Sequence, residues 1–233
     1  MYLSQLVLNA RDYWVRRDLA NCQELHRTLL AAFPAEGGSR AEVGLLFRVE
    51  GDGAAPVVLA QSLLRPDWER LRGRSPGYLR GGPGEGWQVK EVGSAYAALR
   101  EGAVLRFRLR ANPTRKIETK SGPDGERHNG RRVALLKEEQ RLDWLARKAD
   151  AAGFALRRVQ SSDGAVPAVD VRPEDNQRGW REAGSGKRQL LFGSVLFEGE
   201  LCVSDAERFR AALTSGIGSG KAYGFGLLSI APA

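Results

Sequence analysis

The sequence has only two cysteines, Cys22 and Cys202, and two histidines, His26 and His128, in 233 residues. They fit no zinc spacing, and cysteines so few and so far apart build no disulfide framework. Two small buried side chains are the expected role of the cysteines. Dense carboxylate groupings such as D-x-D or D-E-D are missing too, so the chain offers no ready two-metal arrangement for phosphoryl chemistry. No apolar run approaches the roughly 18 residues of a membrane helix. The amino terminus, MYLSQLVLNARDYW, shows neither a basic start nor a small-residue cleavage site, so it does not read as a signal peptide. The expectation is a cytoplasmic protein with no metal, no cofactor and no membrane contact.

What the sequence does hold is basic charge and enough apolar residues for a core. Hydrophobic residues make up 42% of the chain, and its length suits two compact domains of roughly 100 residues each. Lys and Arg number 36 against 28 Asp and Glu, a net charge of +8. Such an excess suits a polyanionic partner, because neutralising phosphates releases counterions. A DNA-binding module is disfavoured, since helix-turn-helix spacing, a zinc knuckle and a basic recognition helix are all missing.

Residues 2–9 read as a strand. A helix follows, with Asn21 as N-cap, Glu24 closing a capping box, Ala20 and Leu25 at the staple positions, and Leu25, Leu29 and Phe33 at helical spacing. Pro34 and the Gly37-Gly38 pair end it. Residues 43–50 and 56–64 read as strands joined by the turn Gly51-Asp52-Gly53. A short helical turn is expected at 67–71 and a weak strand at 87–92, with a domain boundary near residue 100. In the second half, residues 104–110 alternate Leu105, Phe107 and Leu109 with Arg106, Arg108 and Arg110, so three guanidinium groups share one face of a strand. A polar loop spans 113–132. A helix is expected at 137–152, with Leu142, Leu145 and Ala149 inward and Gly153 as its stop. Residues 154–160 read as a strand, and 166–171 and 188–203 as longer extended arms. Ser204 and Glu207 form a second capping box before a helix to Leu213, and a last strand covers 227–230. Each half therefore reads β-α-β-β-(α)-β, the order of a ferredoxin-like fold: α+β, with antiparallel sheets.

Three features carry possible chemistry. The segment GIGSGKAYGFG (216–226) fails as a Walker loop, because Ser215 stands where the first glycine is needed and Ala222 follows the lysine. It fails as a Rossmann loop because Tyr223 replaces the third glycine. Its glycines, among them Gly216, Gly218, Gly220 and Gly224, still permit close backbone approach to a phosphate chain, with Lys221 adding charge. A tight connection packed between domains is the structural alternative. His26 sits at the edge of the apolar stripe of the first helix. A lone histidine there is more often inert, but Arg11, Arg16, Arg17 and Arg27 lie near it, and histidine trades protons near neutral pH. Arg172, Arg178, Arg181, Lys187 and Arg188 flank a stretch holding Trp180, Gly184 and Gly186, which looks like the charged tip of a β-hairpin narrow enough for a nucleic-acid groove. His128 reads as solvent-exposed, at most a phosphate contact. A nuclease without a metal cluster can still cut RNA, because the RNA 2′-hydroxyl is itself a nucleophile.

The segments MYLSQLVLN, RRDLANCQELHRTLLAAFP, RFRLRANPTR, LLFGSVLFEGELCVSD and SGIGSGKAYGFGLLSIAP together resemble the CasE endoribonucleases of type I-E CRISPR systems. The resemblance spans nearly the whole chain. It implies two tandem ferredoxin-like domains of the RAMP type (1–100 and 101–233). It further implies binding of a CRISPR repeat stem-loop and one metal-independent cut at the 3′ base of the stem, with 5′-hydroxyl and 2′,3′-cyclic phosphate ends. Retention on the product as a Cascade subunit follows, from a chain that is monomeric when alone. His26 takes the position of the family's histidine. Gln23, Arg27 and Lys221 are expected to position substrate. RNA binding falls to Arg16, Arg17, Arg106, Arg108, Arg172, Arg178, Arg181, Lys187 and Arg188, with Gly216, Gly218, Gly220 and Gly224. Relatives often carry tyrosine three residues before the histidine, where this chain has Gln23. Glutamine can donate a hydrogen bond but is no useful acid or base. The alternative reading is an RNA-hairpin-binding subunit of the same architecture that does not cut.

Overall fold

The computed structural model describes residues 1–34, 40–51, 55–116, 132–162, 164–183 and 186–233. The turn at 52–54, the Gly37-Gly38 pair, most of the polar loop (117–131, with His128) and Gly184 lie outside the described residues, as do the side chains of Arg181, Lys187 and Arg188.

The first half runs β1 (Tyr2–Val7), α1 (Tyr13–Leu19), α2 (Cys22–Leu30), α3 (Arg40–Val43), β2 (Leu46–Glu50), β3 (Val57–Ser62), a 3-10 turn (Trp68–Gly73), β4 (Trp87–Glu91) and α4 (Gly93–Ala97). Its four strands pair antiparallel in the order β4-β1-β3-β2. That is the 4-1-3-2 order of a ferredoxin-like sheet, with the 3-10 turn in place of the second helix. Leu6, Leu25, Leu29, Phe47, Val58 and Trp68 form its core between sheet and helices.

The second half runs β5 (Val104–Ala111), β6 (Thr114–Lys116), β7 (Arg132–Ala134), α5 (Glu138–Ala151), β8 (Phe154–Leu156), β9 (Arg158–Ser161), β10 (Gly164–Pro167), β11 (Val169–Ala183), β12 (Gly186–Val203), α6 (Ala206–Ser215), a 3-10 turn (Lys221–Tyr223) and β13 (Leu228–Pro232). The sheet order is β13-β5-β12-β11, all antiparallel, with β8 pairing β12 beyond the end of β11. The ferredoxin-like second strand is thus split into β8 and β11, and the small β9–β10 hairpin is inserted at the break. A separate core holds Phe107, Leu109, Trp144, Phe154, Phe197 and Phe209, and Tyr96 and Leu99 pack against it from α4 and its end.

Several expectations give way to the structure. A helix, α1, precedes the one expected, capped by Asp12, whose carboxylate accepts from the Trp14 and Val15 amides. Asn21 does cap α2, accepting from the Gln23 amide. Glu24 closes no capping box, because two cations, Arg17 and Arg27, hold its carboxylate. The cap of α6 is Asp205, not Ser204: its carboxylate takes both the Arg208 amide at 2.9 Å and the Arg208 guanidinium at 2.7 Å, and a charged acceptor outcompetes a hydroxyl. In α5 the buried positions are Trp144, Leu145 and Ala149, while Leu142 is only half-buried. Cys202 is also only half-buried. Trp180 lies within the ladder opposite Gln189 rather than at a hairpin tip, and the paired arms continue to Ala183 and Gly186. Backbone hydrogen bonds sustain that ladder whatever its side chains, so charge and glycine there hid two long strands. Among the described residues no helix is long and apolar enough to cross a membrane.

Arg48 joins the halves. Its side chain is only 2% exposed, yet its guanidinium donates to the Leu227 carbonyl at 3.1 Å, the Arg108 carbonyl at 3.3 Å, Ser229 Oγ at 3.0 Å and Glu50 at 2.6 Å. Gln61 adds a second link, donating to the Leu213 carbonyl at 2.7 Å.

Candidate functional site

Helix α2 buries Leu25 and Leu29 and exposes Arg27, which leaves His26 on the boundary between core and solvent. The imidazole stacks on Phe47 of β2, ring centroids 5.9 Å apart and planes 24° from parallel. Phe47 is itself buried, so its ring is a fixed floor beneath His26.

The glycine-rich loop after α6 reaches the same floor from the other half of the chain. Gly224 has φ +85°, and a Cβ there would lie 3.3 Å from the Phe47 ring. Gly216 has φ +74°, and a Cβ there would come within 2.9 Å of both Leu46 and the Gly226 carbonyl. Both positions combine a left-handed backbone with a close approach, and only glycine satisfies both. The loop holds the turn Lys221–Tyr223 against α2. Tyr223 stacks on Phe192 of β12, centroids 4.4 Å apart. Lys221 is half-buried. Burial lowers its pKa below the ordinary lysine value, and the positive charge of Lys148 pushes it the same way.

Gln23 lies on α2 one turn before His26. Its amide oxygen is buried and accepts no hydrogen bond among the described residues. Cys22, at the start of α2, donates its thiol to the Arg178 carbonyl at 3.0 Å. Opposite it, a Cβ on Gly179 would sit 3.3 Å from the sulfur. The β11 arm is therefore docked on the helix that carries His26. Burial raises the Cys22 thiol to about 11, so it stays protonated at neutral pH.

The expected RNA-binding cations separate into two groups. Arg16 and Arg178 are exposed and have no ion-pair partner among the described residues. Arg17 pairs with Glu24 and lies over the Trp14 ring, and exposed Arg27 donates to Glu24 at 2.7 Å. On β5 the guanidinium row is largely committed to protein partners. Arg106 donates to the Pro232 carbonyl at 3.0 Å, Arg108 pairs with Glu198 at 2.5 Å and Glu50 at 3.3 Å, and Arg110 grips Glu174 with two bonds of 2.6 and 2.7 Å. Arg172 pairs with Asp170 at 2.8 Å and also with Glu198. The backbones of Arg181 and Arg188 face each other across the hairpin, as do Glu182 and Lys187.

The structure thus brings His26, Gln23, the Lys221 turn, Gly216 and Gly224 together around Leu46 and Phe47, packs Gly218 and Gly220 on Trp144 and Phe225, and places Arg106, Arg108 and Arg172 on the sheet surface. Phe47 and Arg48 escaped the sequence reading, which gives Cys22, buried as expected, no part in the site. Strand alternation in Leu46–Glu50 hints at Phe47, but nothing local marks it as the floor of a histidine 21 residues away. Among the described residues, no group of three or more His, Cys, Asp or Glu side chains could hold a metal ion.

A family model described as "CRISPR associated protein" matches residues 1–232. The chain is 38% identical over 237 aligned positions to the CRISPR-associated endoribonuclease Cse3 of Thermus thermophilus, covering all of both chains. It is also 38% identical to the Escherichia coli CRISPR system Cascade subunit CasE, over 136 residues that cover 58% of this chain and 61% of that relative. A solved structure of the CRISPR endoribonuclease Cse3 bound to a 19-nucleotide RNA superimposes with a TM-score of 0.75 at 39% identity, covering all of both chains.

Proposed function

Because the chain belongs to the family of CRISPR-associated proteins that includes the endoribonuclease Cse3 and the Cascade subunit CasE, we propose that it is a metal-independent endoribonuclease acting on the stem-loop of CRISPR repeat RNA. It cuts once at the 3′ base of the stem, keeps the product and serves in the cytoplasm as a subunit of a Cascade complex. The observation that carries this reading is the meeting of two distant segments at Phe47: α2 with His26, and the glycine loop with Lys221.

In this reaction the 2′-oxygen attacks the adjacent phosphorus and gives up its proton, and the 5′-oxygen leaves and gains one. The products are a 2′,3′-cyclic phosphate and a 5′-hydroxyl, with no net consumption of water. His26 moves a proton at the reacting atoms, since its ring lies at the boundary between core and solvent while Phe47 fixes its plane. Gln23 holds the substrate but transfers no proton. Lys221, whose ammonium form is weakened by burial, is the better donor to the leaving oxygen than an ordinary lysine, and it stabilises charge on the phosphorane. The amides of Gly216, Gly224 and Gly226 already donate to carbonyls, so Gly218 and Gly220 are the loop glycines that offer N–H groups to the phosphates. Arg16, Arg178 and the arms of the β11–β12 hairpin bind the stem mainly by shape and charge. Arg108 and Arg172 reach RNA only by exchanging a carboxylate for a phosphate. The domains divide near residue 100, a reading supported by two separate cores.

The test is a repeat hairpin carrying a single 2′-deoxy nucleotide on the 5′ side of the expected cut. Normal RNA should be cut in EDTA and the deoxy RNA bound equally well but left intact. Cleavage of the deoxy substrate would remove the 2′-hydroxyl from the mechanism. Tight binding with no cleavage of normal RNA would leave a hairpin-binding subunit.

A further inference from the structure

A cavity of about 380 Å³ opens between the C-terminal turn of α5, one face of α6 along its length, and the glycine loop. Three cations line it: Lys148 from α5, Arg208 from α6 and Lys221 from the loop. Alanines, glycines, Ser215 and Ile217 make up the rest of the wall, and among the described residues no carboxylate lines the space. Arg208 is balanced by Asp205 at 2.7 Å, but Lys148 and Lys221 have no ion-pair partner among the described residues. They are also close enough to repel, since Lys148 makes Lys221 harder to protonate. The ends of α5 and α6 offset part of this charge through their carbonyl dipoles. That effect is worth well under one full charge per helix and leaves a cationic hollow walled by small side chains.

We infer that this cavity is a phosphate subsite for the unpaired strand of the RNA next to the cut. The inference rests on the endoribonuclease reading. Lys221 links the cavity to the His26 helix. It sits on the loop that touches both α2 and this cavity, so a strand leaving the reacting phosphate and following the loop meets Lys148 next. The space admits about one nucleotide's phosphate and sugar. Alanine and glycine walls let the backbone approach without reading a base, so the contact should not depend on sequence.

The experiment compares two RNAs, a blunt repeat hairpin and the same hairpin with single-stranded flanks on both sides, against wild type, Lys148→Ala and Ala151→Glu. Ala151 is exposed on α5, so the glutamate adds a carboxylate to the cavity wall without removing a core side chain. Wild type should bind the flanked RNA more tightly than the blunt one. Lys148→Ala should weaken only the flanked RNA, about three- to tenfold, and Ala151→Glu at least as much. Each should lower the salt dependence of flanked-RNA binding by about 0.7, the slope of one single-strand phosphate contact. Deleting the 5′ or the 3′ flank in turn identifies the strand. Both variants relieve part of the repulsion that makes Lys221 a stronger acid, so cleavage at saturating RNA should slow modestly in each, and the subsite is read from binding alone. If hairpin is bound and cut but both variants match wild type on flanked RNA, the subsite is wrong and the enzyme reading stands. If wild type does not bind the hairpin, both fall.

Discussion

Replacing Phe47 by leucine separates the role of this ring in folding from its role beneath His26. Phe47 is 1% exposed and belongs to the first core. Leucine is smaller by roughly 25 Å³, which at about 24 cal/mol per Å³ costs about 0.6 kcal/mol. Loss of the stacked ring pair adds about 0.5–1.5 kcal/mol. The sum, about 1–2 kcal/mol, lowers Tm by about 2–8 °C for a chain of this size and leaves the protein folded at room temperature. The chemical step should suffer far more, because a catalytic group displaced by about 1 Å can cost a hundredfold. Single-turnover cleavage at saturating repeat RNA should fall about 10- to 100-fold, while Kd, measured by filter binding, stays within about twofold. Phe47→Tyr keeps the ring and should restore most of the rate. An unchanged rate in Phe47→Leu, with the stability loss present, would refute the claim that Phe47 sets the imidazole's pose.

Two further outcomes test the ion pairs that tie the fold together. Arg48→Ala strips a buried cation from Glu50, Ser229 and two carbonyls, and should cost about 3 kcal/mol or more, a Tm drop on the order of 10 °C by calorimetry; a drop under 3 °C contradicts the assignment. Glu174 tests the pH response. Burial would raise its pKa, but hydrogen bonds from Arg110 and Ser194 outweigh this and hold it below the ordinary 4.5. Its stabilisation is therefore complete above pH 4.5 and disappears as pH falls through the lower folded value. Between pH 6 and 3 the Tm of wild type should fall more steeply than that of Glu174→Gln, and parallel curves would remove Glu174 from the acid response.

The sequence made some parts of this molecule legible because their causes are local. Strand β5 shows its two faces through strict alternation, and α2 shows its start through Asn21. Other parts depend on partners far along the chain. Arg48 reads as an ordinary strand arginine, and its buried role comes from acceptors far along the chain, the Arg108 carbonyl and, about 180 residues later, the Leu227 carbonyl and Ser229 hydroxyl. Helix α1 is seven residues long, and buried Asp18 interrupts its apolar pattern. Its Oδ2 accepts from Thr28 at 2.6 Å and Tyr78 at 3.0 Å, neither adjacent in sequence, while its Oδ1 has only Arg17 and Arg74 at 3.8 and 3.7 Å. The row Arg106, Arg108 and Arg110 looked like a free basic surface, but Glu50, Glu174 and Glu198 converge on two of its three members from other strands. His26 and the glycine loop could be singled out separately. Their shared floor at Phe47 appears only once the two sheets are joined.

The central claim is that His26 moves a proton in a cut made by the RNA's own 2′-hydroxyl. The most direct test is single-turnover cleavage of a repeat hairpin in EDTA by wild type and His26→Ala, with the product ends identified by mass. Wild type should leave a 2′,3′-cyclic phosphate and a 5′-hydroxyl. His26→Ala should bind the hairpin equally well and cut at least a hundredfold more slowly, the lower bound expected for loss of a general acid or base. Cleavage by His26→Ala at the wild-type rate, or a 5′-phosphate on the wild-type product, would contradict the account.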